Sequence, residues 1–337
     1  MHLEPLLYLS EADVMALCTS IDPLTIVEDA LHQTAQGSAA VAAETALRWT
    51  APDGTAARSL VLPAQYADAY GCKVINACVG NPNRGIPRAH GLILLYDLAT
   101  AAPMCIMDGS AISALRTAAV SAVAVRAIRD PNTVRTLALL GCGRQATVHL
   151  ELLIEMCANL QRVAVFDIDP ERAARFAAHH RSRAAIQISA GAEAAVRDAD
   201  LVVAVTTTTT PYIQLDWLQP GATFLNVSLD DATETLLLRC DHLIVDDWDL
   251  VRSDQHRLLG RLAHAGTVVG PAEPAATGVR QVDALLSTVV SGRYTRTVRP
   301  HDRVVVNPFG MGVHDVAIAA QVRSAAAQSG AGVQLLR

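Results

Sequence analysis

The chain has 337 residues, is 51% apolar and carries a net charge of −6. That length allows about two domains with sizeable cores, and the acidic balance offers nothing to nucleic acid or an anionic membrane surface. Seven cysteines without a C-x-x-C pair, an acidic N-terminal stretch and no uncharged apolar run of bilayer length point to a cytoplasmic protein with reduced thiols.

Residues 6–9 predict a strand. Ser10 caps a helix over 11–18, and Asp22-Pro23 opens another through Leu31. Residues 46–76 alternate like antiparallel strands at 47–49, 59–63 and 71–76, with a hairpin turn at Pro52-Asp53-Gly54. Strands at 89–96 and 103–108 continue that sheet. A long helix over 110–129 stops before Pro131.

From residue 134 the pattern changes. Short apolar strands at 134–140, 163–166, 185–188, 201–205, 223–227 and 242–245 alternate with helical stretches, which predicts a parallel sheet with crossover helices. Residues 248–297 read mostly helical. A last strand and turn fall at 302–310, and a helix over 316–328 closes the chain.

The first strand of this half runs into Gly141-Cys-Gly143-Arg-Gln-Ala146 and then a helix with Ala146, Leu150, Leu153 and Cys157 on one face. Gly141 allows a sharp turn, Gly143 a close approach of a pyrophosphate, and Ala146 tight helix–strand packing. Glycines alone would suit any α/β turn. Asp167, ending the second strand, adds the acid expected on an adenosine ribose, and Asp169-Pro170 opens the next helix. The hydroxyls of 206–210 follow the fourth strand, where a dinucleotide lies in such sheets. The fold expected is α/β: a Rossmann dinucleotide-binding domain over 115–315, and an α+β substrate and dimerisation domain from 1–114 with 316–337.

Three cations interrupt apolar surroundings: Arg48 and Lys73 in strands and Arg116 in an Ala-rich helix. A guanidinium suits bidentate grip on a carboxylate, and a buried lysine can carry a proton. Each alone reads as a solvated surface cation; together they suggest a pocket for an amino-acid carboxylate. Asp230 and Asp231 end the fifth strand, where one could take a proton from a substrate amine while Asp231 could equally cap a helix over 232–238. The eleven histidines show no metal-ligand spacing, so no metal is expected. No G-x-S-x-G nucleophile elbow occurs.

Lys73, Ile86-Pro87, Asp108-Gly109, Leu115-Arg116-Thr117-Ala-Ala119 and Gly141-Cys-Gly-Arg-Gln-Ala146 stand in the order found in the ornithine cyclodeaminase/μ-crystallin family, which the whole chain resembles. Gly85-Ile-Pro-Arg-Ala-His90, Ser228-Leu-Asp-Asp231, Val245-Asp-Asp247 and Pro308-Phe-Gly-Met-Gly-Val-His-Asp315 are similar to its siderophore-pathway branch. Enzymes of that branch oxidise N-(2-amino-2-carboxyethyl)-glutamate with NAD to 2,3-diaminopropionate and 2-oxoglutarate.

The resemblance implies a homodimer. It also implies that Arg48, Lys73 and Arg116 bind the substrate carboxylate or activate water, and that Lys73 and Asp230 are catalytic. NAD would contact Arg116, Thr117, Gly141, Gly143, Arg144, Gln145, Asp167, Thr206, Thr207, Val227, Ser228 and Leu229. Two departures stand out. Ser228-Leu229 replace the glycine pair of the cyclodeaminases, with Glu234 following sooner, and Asp230 takes a place where the dehydrogenase branch has a basic residue.

The function expected is therefore an NAD(H)-dependent oxidoreductase on the Cα–N bond of an amino acid or N-substituted amino acid, acting through an imine in secondary metabolism. Asp167 favours NAD over NADP, although Arg172 or Arg175 nearby could blunt that preference. The rivals are an ornithine or lysine cyclodeaminase with catalytic NAD, and a non-catalytic nucleotide-binding protein of the crystallin kind. Intact Lys73 and Arg116 speak against the latter. The loop that selects the substrate is expected within 251–281.

Overall fold

Alternation of apolar and polar residues builds the first sheet. The computed structural model describes residues 5–336 and folds the chain into two units, Met1–Arg116 with Met311–Arg337, and Thr117–Gly310. The first unit opens with β1 (Leu6–Leu9), α1 (Glu11–Cys18) and α2 (Pro23–Gln36). Ser10 and Asp13 form a capping box on α1, and Asp22 caps α2 ahead of Pro23. Strands β2 (Ala40–Val41), β3 (Thr45–Thr50), β4 (Ala56–Tyr66), β5 (Ala69–Cys78), β6 (Ala89–Tyr96) and β7 (Pro103–Asp108) follow. The β3–β4 hairpin turns where the Gly54 N–H donates to Ala51 O, as the Pro-Asp-Gly run predicts. Helix α3 (Ser110–Ile128) carries the chain into the second unit. By length and composition alone α3 could cross a membrane, but it holds Arg116 and Arg126 and most of it is buried in protein.

The second unit contains β8 (Thr136–Leu140), α4 (Arg144–Met156), β9 (Arg162–Phe166), α5 (Pro170–His180), β10 (Ile186–Ile188), α6 (Ala192–Val196), β11 (Leu201–Ala204) and β12 (Thr223–Asn226). Then come α7 (Glu234–Arg239), β13 (His242–Val245), α8 (Trp248–Ser253), α9 (Leu258–His264), β14 (Val268–Val269), β15 (Arg280–Gln281), β16 (Ala284–Leu285), α10 (Leu286–Val290) and β17 (Val304–Asn307). Its main sheet has the order β10-β9-β8-β11-β12-β17-β13-β16, and every neighbouring pair is parallel. Continuous apolar strands such as β8, β11 and β13 are what a sheet covered on both faces requires. The first five strands take the Rossmann order, which reverses between β8 and β11.

Three expectations need correction. Residues 248–297 are not mostly helical: they break into α8, α9 and α10 with a two-stranded sheet, β14 and β15, and a strand, β16, at the edge of the main sheet. Short apolar runs of this kind read equally as strand or helix. Helix α7 begins at Glu234 with Thr233 as its cap, so Asp231 does not cap it. The closing helix α11 (Gly312–Ser329) starts four residues before Val316, and β18 (Val333–Leu335), unforeseen, pairs with β1.

The early start of α11 moves chemistry. A Cβ on Gly312 would lie 2.7 Å from Leu62 O, so only glycine lets the first turn of α11 lie this close to β4. Leu62 faces Lys73 across the β4–β5 ladder. The unit boundaries, at Arg116 and Met311, likewise place Arg116, His314 and Asp315 with Lys73, whereas the sequence reading put them in the dinucleotide domain.

Candidate active site

Side chains alternate across a sheet, so Leu60, Leu62, Lys73, Ile93 and Met107 share one face of the first unit. All five are buried, and Lys73 is 1% exposed. A lysine there needs partners. Its Nζ donates to Asp315 Oδ2 at 2.7 Å and lies 3.5 Å from Ser113 Oγ. Arg116, one turn beyond Ser113 on α3, donates from Nε to Asp315 Oδ1 at 3.3 Å. One carboxylate thus bridges two cations, and this contact cluster keeps an excess positive charge.

Burial pushes the Lys73 ammonium down to about 8, assisted by Arg116 and opposed by Asp315. Burial works against the Asp315 carboxylate too, but the Arg116 and Lys73 charges outweigh it and hold that group below the usual range. His314 is next in the chain and 1% exposed. Burial, then the Arg116 charge, bring its imidazole down to about 3, so the ring is neutral at pH 7. Neither ring nitrogen has a hydrogen-bond partner. A neutral imidazole offers one donor and one acceptor, and leaving both unused in the interior is costly. The arrangement holds a net positive centre, a lysine able to titrate near neutrality, and an unused donor and acceptor.

In the second unit the glycine turn is built as its sequence implies. Gly141 has φ +89°, and a Cβ there would lie 3.0 Å from Val205 O. Gly143 is the N-cap of α4, makes no side-chain cap bond, and has open space where a Cβ would stand. That is room for a phosphate against a helix N-terminus. Asp167 accepts from the Cys142 N–H at 2.8 Å and the Asp169 N–H at 2.9 Å, tying the turn to the end of β9. Arg172 reaches within 3.7 Å of it. Two buried acceptors, Gln145 Oε1 and Asn226 Oδ1, lack partners. These features fit a dinucleotide.

The structure unites Lys73 with Arg116 but not with Arg48, which is exposed on β3 and whose side chain has no hydrogen-bond or ion-pair partner among the described residues. Thr117 lies one residue past Arg116 in α3, and exposed Arg144 opens α4. Thr206 and Thr207 follow β11, and Val227, Ser228 and Leu229 follow β12, all at carboxyl ends of the sheet. The Thr206 N–H donates to Ser228 Oγ at 3.1 Å.

Both paired acids are buried and hydrogen-bonded. Asp230 is buried, accepts from the Leu258 N–H at 2.6 Å, and lies 3.4 Å from Arg261, so it secures the start of α9. Asp231 is fully buried and accepts from Thr206 Oγ1 at 2.6 Å, from the Tyr212 hydroxyl at 3.1 Å and from Ser228 Oγ. Burial raises its carboxyl, against those three hydroxyls. Among the described residues no group of three or more His, Cys, Asp or Glu could hold a metal.

Sequence reasoning missed Asp315 and His314. Their signal was present in Gly310-Met-Gly-Val-His-Asp315, a glycine turn delivering an acid to the head of an apolar helix. It also missed the hydroxyl cage of Asp231.

The pattern of the ornithine cyclodeaminase/mu-crystallin family matches residues 6–330. N-((2S)-2-amino-2-carboxyethyl)-L-glutamate dehydrogenase of Staphylococcus aureus is 30% identical over 82% of this chain and 82% of its own length. The crystal structure of CmnK superposes with a TM-score of 0.89 at 34% identity, over 99% of this chain and 98% of that one. The Thermococcus litoralis Δ1-pyrroline-2-carboxylate reductase structure, in complex with NADH and L-proline, gives a TM-score of 0.85 at 23% identity, over 98% of this chain and 100% of that one, a likeness of fold. With a family pattern spanning nearly the whole chain and a relative alike over most of both lengths, the protein belongs to the ornithine cyclodeaminase/mu-crystallin family.

Proposed function

We propose that the protein is an NAD(H)-dependent oxidoreductase acting at the Cα–N bond of an N-substituted amino acid, with N-(2-amino-2-carboxyethyl)-glutamate as substrate. The observation that carries this reading is the buried Lys73–Asp315–Arg116 cluster with the unpartnered His314 beside it. The likeness to the Staphylococcus aureus dehydrogenase supports the substrate.

Oxidation removes a hydride from Cα and a proton from nitrogen and leaves an imine. Water then adds to the imine carbon, and the C–N bond breaks to a keto acid and an amine. A bound nicotinamide supplies the hydride acceptor or, as NADH, the donor. Gly141, Gly143 and the start of α4, with Arg144 and Gln145, would hold its pyrophosphate. Asp167 would hold the adenosine ribose, and its charge disfavours a 2′-phosphate. Thr117, Thr206, Thr207, Val227, Ser228 and Leu229 would line the remainder.

Arg116 grips the α-carboxylate of the substrate through charge-assisted hydrogen bonds. Lys73 takes the proton released by the amine or by the attacking water, a task its lowered pKa suits near pH 8. Asp315 positions Lys73 and Arg116 without touching substrate. His314 satisfies its ring nitrogens on substrate. Asp230 and Asp231, already saturated, are assigned structural tasks rather than the proton transfer first expected of Asp230.

The test is the nicotinamide absorbance of purified protein with NAD and N-(2-amino-2-carboxyethyl)-glutamate, ornithine, lysine or alanine, with products identified by mass spectrometry. One NADH per 2-oxoglutarate is expected. Product without NADH would mean a cyclodeaminase.

A homodimer is proposed through the outer face of the first sheet. There Tyr8, Leu47, Trp49, Tyr70 and Leu92, each at least 38% exposed, share one side by register. Sedimentation should give twice the chain mass, and Trp49→Glu with Leu92→Glu should give one.

A further inference from the structure

A dinucleotide spans two similar halves of a Rossmann sheet, one mononucleotide to each. Here Asp167 and the glycine turn mark β8 and β9 as the adenosine half. The nicotinamide half then falls to β11 and β12, parallel neighbours that end at Ala204 and Asn226. The loops that follow these strands are already joined through the backbone. The Val227 and Ser228 N–H groups donate to Ala204 O, and the Tyr212 and Ile213 N–H groups donate to Asp231 O. Joining the loops therefore does not require the Asp231 side chain. No cation pairs with it among the described residues, and burying a carboxylate in that state is costly.

What the side chain adds is the setting of two hydroxyls. Thr206 Oγ1 donates to Asp231 Oδ1 at 2.6 Å and accepts from the Thr208 N–H at 3.2 Å, closing a tight turn around Thr207. Ser228 Oγ donates to Asp231 Oδ2 and accepts from the Thr206 N–H at 3.1 Å. The Tyr212 hydroxyl donates to Oδ1 at 3.1 Å. A hydroxyl rotates until an acceptor fixes its hydrogen. Asp231 fixes both, and with them the residues that come next, Thr207 and Leu229. The N–H groups of those two residues, one in each loop, find no acceptor among the described residues. Neither residue is buried.

We propose that Asp231 is the positioning residue for the nicotinamide half of the dinucleotide: it holds Thr206 and Ser228 so that the Thr207 and Leu229 N–H groups stand ready as donors to that half. The inference deepens the function proposed above and rests on its dinucleotide. Asp231 itself touches neither substrate nor cofactor. The adenosine half has its own tie, Asp167, and is independent of Asp231.

The test separates the halves by comparing NADH with ADP-ribose, which lacks the nicotinamide, in calorimetric titrations of the purified protein. The wild type should bind NADH more tightly. Asp231→Ala should raise the NADH dissociation constant about 20-fold and leave that of ADP-ribose within about twofold, the scale of lost charge-assisted hydrogen bonds. Asp231→Asn keeps an acceptor for Thr206 and Tyr212 and a polar group at Ser228, so it should restore NADH affinity to within about threefold of wild type. Should Asp231→Ala not fold, Tyr212→Phe removes one of the three hydroxyls and should raise the NADH constant about threefold at unchanged ADP-ribose affinity. Equal weakening of both ligands would overturn the proposal, because Asp231 would then support the whole domain. Unchanged NADH affinity in Asp231→Ala or Tyr212→Phe would overturn it too. A wild type that binds neither ligand would remove the proposed function and this inference together.

Discussion

The two acid-bearing centres of this chain contrast in what their atoms still have to offer. In unit 2, Asp231 is met by three hydroxyls, and Asp230 by a backbone N–H and a guanidinium. In unit 1, Asp315 joins two cations, and His314 beside it has two unused nitrogens. A saturated buried group has settled its desolvation cost within the protein and holds loops in place. An unsaturated one next to a charge excess gains its partners from a ligand. Sequence alone points to Lys73 and Arg116 in one centre and to Asp230-Asp231 in the other, because the paired acids are conspicuous at a strand end, whereas Asp315 hides at the head of an apolar helix.

The largest effect that would break the contrast is in unit 1. Lys73→Met should lower kcat by about a thousandfold, within the range for loss of a general acid–base group, and leave the NADH dissociation constant unchanged. Asp315→Ala takes the shared carboxylate from the buried Lys73 and the partly buried Arg116 and should cost about 3–5 kcal/mol of stability, read as a lower denaturant midpoint. His314→Leu should raise KM about tenfold with a smaller change in kcat, because it removes one ligand contact and keeps the volume. The pH dependence sharpens the same point. The lowered Lys73 pKa means the neutral amine accumulates as pH rises through about 8. Oxidation, which needs the base, should therefore climb to a plateau above that pH, and imine reduction, which needs the acid, should fall across it. The smallest effect belongs to unit 2. Asp230→Asn keeps an acceptor for the Leu258 N–H, so kcat should change by no more than about threefold. A loss of a hundredfold would return the proton to Asp230.

Much of the architecture was legible. Antiparallel strands follow from alternation at 46–76, and the parallel sheet from apolar runs punctuated by helices. Asp22-Pro23 and Asp169-Pro170 mark helix starts because an aspartate cap and a proline in the first turn are local chemistry. The dinucleotide turn was legible for the same reason, since a positive φ and a free Cβ position leave glycine little competition. What escaped depends on tertiary contacts. The start of α11 is fixed by the approach of Gly312 to Leu62, between residues 250 positions apart, so Asp315 read as a loop residue. Two of the three hydroxyls around Asp231 come from Thr206 and Tyr212, 25 and 19 positions away in the chain. Residues 248–297 lacked a dominant period because their strands are two residues long.

The central claim is that the Lys73 cluster is where the substrate reacts. The measurement that tests it most directly is NADH formation from N-(2-amino-2-carboxyethyl)-glutamate by wild type and Lys73→Met, with NADH affinity measured on both. The expected result is stoichiometric NADH from the wild type and almost none from the variant at unchanged affinity. Turnover by Lys73→Met within tenfold of wild type would contradict it.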